Sequence, residues 1–394
     1  MRSVVVVGAS LAGLSAAQAL RSRGFDGKVT IVGDELHMPY QRPPLSKRFL
    51  TGEAERGRLD LPMRRPEDFD WQLGTCAQRL DLERHEVETS GRLRLPFDGL
   101  IVATGARAKE LPGGAQLDGV FTLRTIDDAI AIRRRVVGGA RNVVIVGAGF
   151  IGCEVAASLR ELGCEVTLID LDRFPMQRVL GEELGAVCLE VHRAHGARLI
   201  MGVGFAGFMG ASSVQGVHLS DGRTIEAEMV ILGVGVTPNV EWLEGSGMAL
   251  NDGVVCDESC AAIGVNGVVA AGDVARWQHP RFGSMRVEHW DNAIAQGRAA
   301  ADTLLVGREE AQAFGMIPCF WSDQYDCKLQ LIGAARPSDT LRVVEGNVHS
   351  RRFVAVFLRQ ERVVAAFLFN SMHRIVEYKK IVDNGELPFE SKSA

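Results

Sequence analysis

Two short segments restrict what this chain can fold into more than any other feature. Val4–Val7 runs into Gly8-Ala-Ser10-Leu-Ala-Gly13, and Val143–Val146 runs into Gly147-Ala-Gly149-Phe-Ile-Gly152. In each, an unbroken apolar run, suited to a parallel strand buried on both faces, enters a glycine turn and then an Ala/Leu-rich helix. The first glycine of such a fingerprint permits a tight turn, the second lets backbone approach a pyrophosphate, and the third lets helix pack on strand. The helix N-terminus adds free N–H groups and roughly half a positive charge. The second turn fits fully, while the first carries Ser10 at the middle position, a small residue and a tolerated departure. Two copies in one chain imply two dinucleotides and, as the usual reason for holding both, electron transfer between them.

The neighbours of the two turns repeat as well. Helices are predicted over Leu11–Arg23 and Phe150–Leu162, ended by Gly24 and Gly163 as left-handed caps, and second strands over Lys28–Val32 and Glu165–Ile169. About 20 residues after each turn stands an acid, Asp34 or Asp170, placed to accept hydrogen bonds from ribose hydroxyls. Asp170 also bears on cofactor choice. A 2′-phosphate ~4 Å from a carboxylate is repelled by about 1–4 kcal/mol, so NADH is expected over NADPH, with nearby Arg173 softening the preference.

The chain has 394 residues, 46% hydrophobic and 24% charged, enough for two or three domains of ~100–200 residues each. A net charge of −5 argues against a nucleic-acid partner. The uncharged stretch Val4–Leu20 is shorter than the ~20 residues of a membrane span and divides into strand, turn and helix, so neither a membrane segment nor a targeting signal is expected. Eight scattered cysteines form no CxxC and no metal-ligand set, which fits a reducing cytoplasm and a protein without a metal.

Further strands ending in tight turns are read at Leu100–Gly105, Met229–Asn239 and Gly267–Asp273. From Pro318 onward the pattern becomes antiparallel, with strands over Leu341–Val344, Phe353–Arg359 and Arg362–Phe369, a closing helix over Ile375–Val382 and an extended tail after Gly385.

Taken with Gly33-Asp-Glu, Pro39-Tyr-Gln-Arg-Pro-Pro-Leu-Ser-Lys47, Ala103-Thr-Gly105, Leu123-Arg-Thr125, Gly147–Glu154, Gly233–Asn239, Ala271-Gly-Asp273, Val287–Asn292 and Phe320-Trp-Ser-Asp323, the chain resembles the FAD-containing, NADH-dependent ferredoxin reductases that supply cytochrome P450s and Rieske-type oxygenases. The resemblance implies an α/β fold with two Rossmann-like dinucleotide-binding domains (glutathione reductase-like) plus a C-terminal α+β domain. The implied boundaries are 1–109 with 239–316 for FAD, 110–238 for NAD and 317–394 for the C-terminal domain. It further implies resident FAD at the Gly8–Gly13 turn, exchangeable NADH at Gly147–Gly152, and a 2Fe–2S ferredoxin as electron acceptor. Asp34 would bind the FAD ribose, Ala77 the adenine, Arg42, Lys47 and Arg124 the flavin and its pyrophosphate, Asp273 the ribityl chain, and Trp290 the isoalloxazine. Ala12, Thr104, Gly105, Phe150, Ile151 and Gly235 complete the cofactor-binding set within the same motifs. Lys47 and Glu154 are the expected catalytic pair: Glu154 is to face the nicotinamide carboxamide and form an ion pair with Lys47 beside flavin N5.

What is missing also counts. Asp34–Gly74 holds no cysteine, so no thiol pair takes electrons from the flavin, and no cluster-binding cysteines are present, so the iron–sulfur centre belongs to another protein. Arg56, Arg58, Arg64 and Arg65 are candidates for docking it. Alternatives on the same core are a rubredoxin or monodehydroascorbate reductase, or an NADH-sensing flavoprotein resembling apoptosis-inducing factor. The chain could be a monomer or a homodimer.

Overall fold

A computed structural model describes residues 1–387, and the portion of the predicted extended tail beyond them lies outside the described residues. The chain forms two compact units: Met1–Gln41, Leu59–Arg107 and Thr237–Pro318 make the first; Arg42–Arg58, Ala108–Val236 and the chain from Cys319 onward make the second.

Each unit is built on a five-stranded parallel sheet. In the first unit the strand order is Val268–Ala270, Gly99–Val102, Ser3–Val7, Lys28–Val32, Asp70–Gln72. In the second it is Arg198–Met201, Glu165–Asp170, Asn142–Val146, Met229–Leu232, Val120–Thr122. The valine runs occupy the middle strand of each sheet and are buried on both faces, which is why they show no alternation. Each glycine turn therefore leaves its sheet where the strand order reverses, the place where open α/β sheets bind ligands.

The helices after the turns span Leu11–Ser22 and Phe150–Glu161. Gly24 and Gly163 follow with φ of 88° and 78°, the left-handed stops expected from the sequence. Gly297, on the Trp290–Val306 helix, lets that helix touch the Leu11–Ser22 helix: a Cβ there would stand 2.5 Å from the Ala12 carbonyl oxygen.

The C-terminal part is a five-stranded antiparallel sheet in the order Cys319–Gln324, Cys327–Gly333, Arg362–Phe369, Arg352–Arg359, Thr340–Asn347, with the Ile375–Asn384 helix after it. Its first two strands were not legible from the apolar pattern. Sequence boundaries separate this sheet from the NAD-binding half and put residues 42–58 in the first domain. Packing instead gathers both into the second unit, because Phe320 packs edge-on against Phe150, and Pro44, Leu45, Phe49 and Leu50 are buried there.

Candidate active site

At both turns the first and last glycines are required by the fold. Gly8 and Gly147 have φ of 126° and 104°, and a Cβ on either would lie 2.0 Å from the Ala103 oxygen or 2.3 Å from the Gly233 oxygen. A Cβ on Gly13 or Gly152 would strike the carbonyl oxygen of Gly8 or Gly147 at 1.9 and 2.0 Å. The middle position differs. A Cβ on Gly149 meets nothing within 4 Å, so Ser10 at the matching position of the first turn needs no rearrangement of the protein. Both helices begin with no side-chain cap and no acid in the first turn, leaving their positive ends unanswered. By contrast, Thr125 and Asp128 close the Ile126–Val137 helix with a capping box. Uncapped N-termini over a glycine cradle with open space at its centre fit the pyrophosphates of FAD and NADH.

The two acids behave differently. Asp34 is exposed and accepts only the Glu35 N–H among the bonds resolved at its carboxylate, at 3.0 Å. Asp170 accepts the Ala148 N–H at 2.6 Å and the Asp172 N–H at 2.8 Å, so it braces the turn.

The second unit contains a buried charged centre. Lys47 Nζ lies 2.7 Å from Glu154 Oε2, and the side chains are only 16% and 3% exposed. Glu154 Oε2 also accepts from Ser46 Oγ at 2.5 Å, and Oε1 from Ser322 Oγ at 2.7 Å. A carboxylate offers about four acceptor sites, so three are filled and one is left for a ligand N–H. Ser158, four residues beyond Glu154 and therefore on the same helix face, donates to the Ser46 carbonyl at 2.7 Å. The helix thus grips both the backbone and the side chains of the Pro43–Lys47 segment. Sequence reasoning assigned no role to Ser46, Ser158 or Ser322. The available signal was the polar residues Ser322 and Gln324 at alternate, inward positions of a strand.

The other expected residues take up defined positions. Thr104 Oγ donates to the Asn239 carbonyl at 2.8 Å, and Asn239 returns bonds to the carbonyls of Thr104 and Gly105 at 2.9 and 3.0 Å, fixing that turn. Gly235, with φ of 95°, accepts the Lys109 N–H at 2.9 Å. The Arg42 guanidinium donates to the Arg124 carbonyl at 2.8 Å. Ala77 opens a strand paired with Thr89, and Phe150 and Ile151 open their helix, Ile151 being exposed. Asp273 is half-buried in a short turn, and Trp290, half-buried, begins the long helix after His289. Burial lowers His289 to about 4, against a smaller opposing pull from Asp273. Gly8, Ser10, Ala12, Gly13, Asp34, Ala77, Thr104, Gly105, Asp273 and Trp290 lie in the first unit. Arg42, Lys47, Arg124, Gly147, Gly149, Phe150, Ile151, Gly152, Glu154, Asp170 and Gly235 lie in the second.

All eight cysteines are free, and seven are buried. Burial pushes the Cys153 and Cys256 thiols well above the ordinary range and Cys188 and Cys260 to about 12, leaving them inert.

Two dinucleotide cradles and a buried Lys–Glu pair, with no redox-active thiols, define a flavin- and nicotinamide-dependent oxidoreductase. The chain belongs to the pyridine nucleotide-disulphide oxidoreductase family, whose model matches residues 2–297, and a reductase C-terminal model matches 319–394. FAD and NADH are its cofactors. Among curated relatives, it is 35% identical to rhodocoxin reductase of Rhodococcus erythropolis, over 100% of this chain and 92% of that one. It is 34% identical to the anthranilate 1,2-dioxygenase system ferredoxin–NAD(+) reductase component of Burkholderia cepacia, over 98% and 95%. Among solved structures it superposes on the covalent putidaredoxin reductase–putidaredoxin complex with a TM-score of 0.90 and 31% identity, covering 98% of this chain and 93% of that one. No helix among the described residues is long and apolar enough to cross a membrane.

Proposed function

We propose that this protein carries electrons from NADH through FAD to a 2Fe–2S ferredoxin that serves an oxygenase, either one of the cytochrome P450s or a Rieske-type enzyme, in the cytoplasm. The balanced reaction is NADH plus two oxidised ferredoxins giving NAD+, one proton and two reduced ferredoxins. FAD, when bound, supplies the conversion of a two-electron hydride into single electrons. The Gly8–Gly13 turn with Asp34 holds FAD, and the Gly147–Gly152 turn with Asp170 holds NADH. Functionally, 1–109 with 239–316 serves FAD, 110–238 serves NAD, and 317–394 forms the C-terminal part.

The observation that carries the reading is the buried Lys47–Glu154 pair at 2.7 Å in a chain whose flavin has no thiol pair to reduce. A lysine ammonium fixed in a dry site stabilises negative charge developing on the reduced flavin. Glu154 holds it there and keeps one acceptor site for the nicotinamide carboxamide. Arg42, Arg124, Ala77, Asp273 and Trp290 bind the remainder of the FAD.

The test is anaerobic reduction of the purified yellow protein by NADH, followed by mixing with purified 2Fe–2S ferredoxins while the flavin bands are watched. Rapid return of the oxidised flavin spectrum with ferredoxin reduction is expected. A reduced flavin that no ferredoxin reoxidises, or a protein that cannot bind FAD, overturns the reading.

A further inference from the structure

Glu154 is one end of a longer buried polar chain. Ser322 Oγ, which donates to Glu154 Oε1, accepts from Gln324 Nε2 at 3.0 Å. The second N–H of that amide points to Met176 Sδ at 3.6 Å. Gln324 Oε1 lies 3.1 Å from His192 Nε2, and His192 Nδ1 lies 3.1 Å from Tyr325 Oη. Beyond it, His195 stacks on the Tyr325 ring at 3.9 Å, with its Nε2 3.5 Å from Asp326 Oδ1 at the surface. Ser322, Gln324 and His192 are each no more than 1% exposed.

One assignment of hydrogens satisfies every member. Tyr325 donates to His192, His192 to Gln324, Gln324 to Ser322 and Ser322 to Glu154. Each donor then points toward the carboxylate, and hydrogen bonds aligned in this way polarise one another. The titratable groups packed around the chain reinforce this direction. Burial lowers His192 to about 4, so the imidazole is neutral and has one donor and one acceptor nitrogen. Burial also raises Tyr325, Cys153 and Cys188, which stay protonated. Lys47, on the facing segment, is the charged partner. The amide of Gln324 separates its donor and acceptor on different atoms, so the chain transmits orientation rather than a proton.

We infer that Ser322, Gln324 and His192 are positioning residues for the Lys47–Glu154 pair: they hold the Glu154 carboxylate turned so that Oε2 stays on Lys47. The inference rests on the reading of that pair as the flavin-side catalytic centre. Its energetic logic is that Glu154 cannot reach water, so removing a donor leaves a buried anion short of a partner.

The experiment compares Ser322→Ala and Gln324→Met in the FAD-bound protein with the parent. Crystal structures should show the Glu154 carboxylate turned and its distance to Lys47 Nζ lengthened. Single-turnover reduction of the flavin by NADH should slow ~10-fold, a cost typical of removing a partner that orients a functional ligand. KM for NADH should be nearly unchanged. Ser322→Thr, which keeps the hydroxyl, should restore both the Glu154 geometry and the reduction rate. If Gln324→Met does not fold, His192→Phe at the outer end carries the test, with smaller changes in the same direction. A Glu154 that stays on Lys47 and a flavin reduction rate equal to the parent's, even in a less stable variant, overturn the proposal. Neither measurement uses ferredoxin, so a protein that reduces no ferredoxin but shows these changes refutes the acceptor and leaves the relay standing.

Discussion

Glu154 illustrates how much one residue's surroundings decide. Its place in the sequence marks it as a residue of the first helical turns after a fingerprint, where an exposed glutamate would be ordinary. In the structure it is buried with three donors on its carboxylate. Replacing it with glutamine keeps the shape and removes the charge that holds Lys47. Glu154→Gln should slow NADH-dependent flavin reduction by ~10- to 100-fold, below the ~100- to 1,000-fold cost of deleting a direct oxyanion donor, because Lys47 itself remains. Anaerobic stopped-flow at the flavin band measures it. Asp170 carries a different prediction. Asp170→Ala removes the repulsion of a 2′-phosphate, so the ratio of kcat/KM for NADH over NADPH should fall by at least ~5-fold, following the ~1–4 kcal/mol of the charge pair. Because Asp170 also braces the Ala148 N–H, KM for NADH should rise in the same variant.

At the scale of elements, the glycine turns separate fold from function. Gly147→Ala forces a Cβ to 2.3 Å from the Gly233 oxygen at a φ of 104°, and should cost ~3 kcal/mol or more, visible as a large drop in Tm. Gly149→Ala has open space and should leave Tm within a few degrees, since it lacks any of the mechanisms behind large losses. Its effect should fall on NADH affinity, and equilibrium titration against the parent separates the two. The strands flanking the glycine turns and the fingerprint helices were legible within a residue or two, because long apolar runs and glycine stops are local signals, whereas the short parallel strands Asp70–Gln72, Val120–Thr122 and Arg198–Met201 were not read. The strands Cys319–Gln324 and Cys327–Gly333 were not. Ser322 and Gln324 occupy inward positions where an apolar residue is expected, and their partners, Glu154 and His192, lie on two helices more than 100 residues earlier in the chain.

For the whole molecule, stability and acceptor docking each follow from charge. Burial lowers both His192 and His289 from 6.5 to about 4. Between those values the unfolded chain takes up protons that the folded chain refuses. Stability is therefore complete above pH ~6.5 and declines toward pH 4, by roughly 3 kcal/mol for each histidine. Urea midpoints measured across this range should fall with pH, and His192→Phe should flatten the slope. Electrostatic docking of an acidic ferredoxin by Arg58, Arg64 and Arg65, all exposed, and half-buried Arg56 predicts that ferredoxin reduction slows as salt rises. Rates measured from 20 to 500 mM salt check this, and an unchanged rate removes these arginines from docking. By itself the sequence determined the two glycine turns with their strands and helices, the acids that follow them and the absence of a cysteine between Asp34 and Gly74, because each is written in residues close together along the chain. The Lys47–Glu154 pair was expected from the family resemblance; only the tertiary structure decided that Ser46 and Ser322 join it in one buried centre, and that residues 42–58 and the C-terminal sheet pack with the second parallel sheet. Those contacts join positions 46, 154 and 322, and a carboxylate's need for buried donors does not specify which distant segments will supply them.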